Sequence, residues 1–99
     1  MAKRIKLIAG NWKMNGARAE AASFVAKLGS RKPAPRPGRR LLICPPATLI
    51  ALMAEPLAEL DVAIGGQDCH AEPKGAFTGD ISAAMLRDLG CGHVIVGHS

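Results

Sequence analysis

At 99 residues the chain has the length of one compact domain and is too short for two of ordinary size. Ala, Leu, Ile and Val carry most of the 48% hydrophobic content, and only Trp12, Phe24 and Phe77 are aromatic, a palette suited to aliphatic α/β packing. The net charge is +5, and no stretch approaches the roughly 20 apolar residues of a membrane-spanning helix.

The first apolar run, Ile5–Ala9, predicts a strand. Lys6 and Gly10 interrupt it, so it does not read as a signal peptide. The segment that follows, AGNWKMNG, places Asn11, Trp12, Lys13 and Met14 between Gly10 and Gly16. A turn needs the glycines but not an indole and an ammonium group. Residues 17–28 predict a helix with Ala21, Phe24, Val25 and Leu28 on one side and Gly29 as its stop.

SRKPAPRPGRR comes next, with five of the 13 basic residues: Arg31, Lys32, Arg36, Arg39 and Arg40. Its prolines suggest an extended, solvated loop. With no aromatic interleaving and no nucleic-acid module around it, nucleic acid is not an expected partner, and neither is a membrane. Leu41–Cys44 predicts a second strand. Residues 48–60 predict helix through Leu49, Leu52, Met53, Leu57 and Leu60, split into two short pieces at Pro56.

Val62–Gly65 predicts a third strand, ending in Gln67 and Asp68. A helix over 82–89 follows, with Ser82 as N-cap, a buried stripe of Met85, Leu86 and Leu89, and Gly90 at its end. His93–Val96 predicts the fourth strand, with His98 beyond it. Cys44, Cys69 and Cys91 form no CxxC and no zinc spacing, so no metal is expected and a reducing cytoplasm fits.

The order is β-α-β-α-β-α-β, and none of the strands alternates cleanly, as expected of parallel strands covered on both faces. Two architectures offer this order: a doubly wound open sheet, or part of a (β/α)8 barrel. No GxGxxG follows a strand and no Walker A motif is present, which weakens a nucleotide-binding reading. Asn11, Lys13, Gln67, Asp68 and His98 all fall at carboxyl ends of predicted strands, the face on which barrel enzymes assemble their sites.

AGNWKMN, GQDCH…GAFTGDIS and VIVGHS, in this order, resemble the triosephosphate isomerase family over nearly the whole chain, from about Ile5 to Ser99. Asp68, His70 and Asp80 stand where other members often carry Asn, Tyr and Glu. The resemblance implies the N-terminal half of a (β/α)8 barrel, as a single incomplete domain. It also implies a cytoplasmic enzyme without cofactor that interconverts dihydroxyacetone phosphate and glyceraldehyde 3-phosphate through an enediol. Lys13 resembles the lysine that offers positive charge to the substrate, and Asn11 the asparagine that contacts substrate beside it. His98 is similar to the imidazole that polarises the carbonyl and moves protons between the two oxygens. Thr78 resembles the threonine that reaches across a homodimer interface, and Met14 the residue that receives that loop.

The family's fold takes about 250 residues and eight βα units. After the motif that ends at Ser99 its members continue with Glu-Arg-Arg, and their base glutamate, closing loop and phosphate-binding turns come later. The resemblance therefore implies that the 99-residue chain alone lacks isomerase activity, because no base is left to take the carbon-bound proton. The alternative is a non-catalytic half-barrel that self-associates through the GAFTGD loop.

Overall fold

The computed structural model describes residues 4–31 and 37–98. Lys32 and Arg36 of the basic loop, and Ser99, lie outside the described residues. The elements run β1 (Lys6–Asn11), α1 (Arg18–Arg31), β2 (Arg39–Cys44), α2 (Ala47–Glu59), β3 (Ala63–Gly66), α3 (Ala83–Asp88) and β4 (His93–Val94). The four strands form one curled parallel sheet whose spatial order, β1-β2-β3-β4, is also the chain order. That is half of a barrel wall, with the three helices as crossovers.

Strand β2 is covered on both faces over its second half. Leu41 and Ile43 pack against the helical core, while Leu42 and Cys44, on the opposite face by alternation, are buried as well. That double coverage explains why its sequence does not alternate. Strand β1 pairs with β2 from Lys6↔Arg39 to Asn11↔Cys44, yet Leu7 and Ile8 remain about half exposed. The core lies between sheet and helices, built from Ala21, Leu49, Ile50, Met53, Leu57, Val62, Ile64, Leu86 and Cys91.

The two glycines of β3 permit close approach by two different elements. A Cβ on Gly65 would meet the His93 carbonyl oxygen at 2.9 Å, and one on Gly66 would meet Leu86 Cδ1 at 2.6 Å. Strand β4 and helix α3 therefore seat directly on backbone.

Several expectations need correction. Helix α2 is continuous through Pro56 rather than split. Proline deprives the carbonyl four residues back, that of Leu52, of its helical partner. Leu52 is half exposed, so the defect lies on the solvent side and the buried side holds the helix together. For the same reason Leu52 does not belong to the buried stripe, and Ile50 is completely buried instead. Helix α1 passes through Gly29 and ends at Arg31. In α3 only Leu86 is buried, with Met85 54% and Leu89 38% exposed. Six residues turn one narrow face toward the sheet. Ser82 caps that helix as expected, its hydroxyl accepting from the Met85 N–H at 3.1 Å. Strand β4 pairs only over His93 and Val94, in line with Gly65 and Gly66, and does not reach Val96.

Candidate functional site

Parallel strands deliver their carboxyl ends to one rim, and here that rim carries an open cleft of about 630 Å³. Asn11, Lys13 and Met14 line it from the end of β1, Gln67 and Asp68 from the end of β3, and Ile95, Gly97 and His98 from the segment after β4. Asn11, Lys13 and His98, predicted from sequence to act together, thus face one space. Met14 borders the same cleft and is 94% exposed. Thr78 does not line it and lies in the exposed loop 71–80. In that loop Phe77 stacks on His70 with ring centroids 3.9 Å apart, and the Glu72 N–H donates to His70 Nδ1 at 2.9 Å.

Lys13 holds an unusual backbone. Its φ is +56°, in the left-handed region that costs a residue with a side chain roughly 1–2 kcal/mol. Both sides of the residue are tied down. Its N–H donates to Asn11 Oδ1 at 2.9 Å, and its carbonyl accepts from Gln67 Nε2 at 2.8 Å. Each such bond contributes about 0.5–1.5 kcal/mol, enough together to offset the strain. The same Gln67 Nε2 donates to the Cys44 carbonyl at 2.9 Å, which also accepts from the Trp12 N–H at 3.1 Å. The ends of β1, β2 and β3 meet at this point.

Trp12 faces away from Lys13. Its ring packs edge-on against Phe24 of α1, centroids 5.3 Å apart, and joins the margin of the core. Gly16, at φ +104°, lies so close that an added Cβ would meet the indole at 3.0 Å. The odd composition of AGNWKMNG now resolves by direction: the indole anchors the loop inward, and Asn11 and Lys13 border the cleft. Asn15 closes the turn by donating from Nδ2 to the Trp12 carbonyl at 2.9 Å.

What the cleft can do chemically follows from these groups. An ammonium carried on a fixed backbone, an amide and an imidazole on an open, polar rim suit a small anionic molecule with oxygen functions. Thiol chemistry does not fit, because no cysteine among the described residues lines the cleft; burial also pushes the Cys44 thiol up, and burial together with the nearby Cys44 pushes Cys91 up. Among the described residues no three His, Cys, Asp or Glu side chains group in a way that could hold a metal ion. Sequence reasoning noticed Gln67 only as one more polar strand-end residue. Its bond partners lie 54 and 23 positions away, and no local pattern marks them.

A family model described as triosephosphate isomerase matches residues 6–99. The triosephosphate isomerase of Bradyrhizobium sp. (strain ORS 278) is 57% identical over 102 residues, covering 100% of this chain and 40% of the relative. That of Afipia carboxidovorans is 60% identical over 95 residues, covering 94% of this chain and 37% of the relative. The crystal structure of triosephosphate isomerase from Bartonella henselae superposes with a TM-score of 0.82 at 42% identity, covering 95% of this chain and 38% of that one. The chain spans about two fifths of the length of the curated relatives it matches.

Proposed function

The chain belongs to the triosephosphate isomerase family, and we propose that it is the N-terminal portion of an enzyme that interconverts dihydroxyacetone phosphate and glyceraldehyde 3-phosphate. The observation that carries this reading is the convergence of Asn11, Lys13 and His98 on one cleft at the carboxyl ends of parallel strands. Lys13 attracts the phosphorylated substrate and stabilises negative charge as an enediolate develops. Asn11 contacts the substrate and also accepts the Lys13 N–H, so one side chain serves recognition and loop shape. His98 polarises the carbonyl and carries the proton between the two oxygens. The base that removes the carbon-bound proton comes from the portion that the relatives have beyond the matched length.

The enzyme acts as a homodimer in which Thr78 of one subunit reaches toward the partner's cleft and Met14 receives that loop. Its compartment is the cytoplasm, where three free thiols stay reduced. No helix among the described residues is long and apolar enough to cross a membrane.

The test reads the source gene past the Ser99 codon and assays the full-length product. The expected outcome is Glu-Arg-Arg after Ser99, triose phosphate turnover, and a loss of at least about 10²-fold in kcat/KM on Lys13→Ala. A folded full-length product with no turnover overturns the reading. The 99-residue chain alone is expected to be inactive. A second reading, self-association of the chain without catalysis, is favoured by the exposure of Ile5, Ile8, Val96 and Phe77. A stop codon after Ser99, together with a concentration-dependent dimer, would select it.

A further inference from the structure

Lys13 is the one lysine or arginine among the described residues that line the cleft, and its side chain projects from a backbone that ordinary residues avoid. A lysine ammonium on four rotatable carbons is a poorly directed charge unless its Cα is fixed. Two groups fix it here. Asn11 holds the N–H side from two residues away, a local contact that any turn could make. The carbonyl side is held by Gln67, which reaches from the end of β3 and is anchored in turn to the end of β2 through the Cys44 carbonyl. A single amide nitrogen uses both its hydrogens on two carbonyls, one in the loop after β1 and one at the end of β2, so it has no freedom to rotate without losing one of them.

We propose that Gln67 is the positioning residue for Lys13: its Nε2 clamps the Lys13 carbonyl to the sheet and thereby aims the ammonium into the cleft. This inference rests on the reading of Lys13 as the phosphate-attracting group of a triose phosphate isomerase. Gln67 does not act as a proton donor to the substrate, since both of its amide hydrogens are engaged with backbone. On this proposal its effect on turnover passes through residue 13.

That last point is what a double-mutant cycle measures. In the full-length protein, Gln67→Met keeps the length of the side chain and removes both donors, and Gln67→Glu does the same with a polar group should the methionine variant fold poorly. Either substitution is expected to lower kcat/KM by about 10²-fold, the order expected for a charged group misplaced by about an ångström. In a Lys13→Ala background the same substitution is expected to change kcat/KM by less than about 3-fold, because the residue it positions is gone.

An equal loss in both backgrounds would make Gln67 a general support of the rim and overturn the proposal, as would no loss in either. A second readout does not depend on turnover. The amide-to-Hα coupling of Lys13, measured by NMR, reports φ directly and should leave its left-handed value in the Gln67→Glu protein. An unchanged coupling overturns the clamp. If the unsubstituted protein shows no turnover, the functional reading fails by itself, and the coupling still decides the role of Gln67.

Discussion

Lys13 has a backbone that glycine would adopt without penalty and a side chain that glycine lacks. Lys13→Gly is therefore expected to stabilise the protein by about 1 kcal/mol, read as a higher urea midpoint, while abolishing the affinity of the cleft for phosphorylated ligands. Lys13→Ala keeps the strain and should give no such gain. The buried thiols allow a second expectation at this scale. Cys44 and Cys91 both titrate above the ordinary thiol value of 9.0. The folded state thus keeps protons that the unfolded chain gives up. Their contribution to stability is intact below that value and is lost as the pH rises from there through the raised folded pKa. Urea midpoints should fall above about pH 9 and fall less steeply in a Cys44→Ala protein. How much of the site could be read from the sequence divides along the same line. Asn11, Lys13 and His98 stand at strand ends inside motifs and announce themselves. Gln67 does so only partly, because its work is a contact across 54 positions that exists only once β2 has paired with both β1 and β3 and brought their carboxyl ends to one rim.

Among the elements, helix α2 tests how far local propensity can be overridden. Ile50, Met53 and Leu57 are completely buried on one side of it, and that burial outweighs one lost backbone bond at Pro56. Pro56→Ala should restore a partner for the Leu52 carbonyl and raise stability by about 1–3 kcal/mol, measured by chemical denaturation, without moving the strand register. Strand and helix order was legible throughout, since apolar runs and glycine punctuation follow the α/β alternation. The ends were less so. Helix α1 continues through Gly29 because the residue lies within the turn rather than beyond it. Strand β4 is cut to two residues because its partner, β3, offers only Gly65 and Gly66 opposite it. A stripe predicted from periodicity, such as Met85 and Leu89 in α3, records which residues are apolar and not how much neighbouring structure covers them.

For the molecule as a whole, the described residues pair β1 and β4 on one side each. Ile5 and Val96 are 66% and 70% exposed, and Leu7 and Ile8 about half. The 99-residue chain in isolation should bind an apolar fluorescent dye and associate as its concentration rises, whereas the full-length protein should bind little dye. Dye fluorescence against concentration separates the two, and a monomeric, dye-free short chain would contradict the expectation. The spatial order of the strands has a further consequence, one of timing. Each strand lies beside the one made just before it, so no pairing waits for a distant partner. A ribosome releasing this chain from its N-terminus can lay the sheet down strand by strand, each helix covering the seam behind it. At every moment of synthesis the growing edge is the newest strand, next in line for its successor.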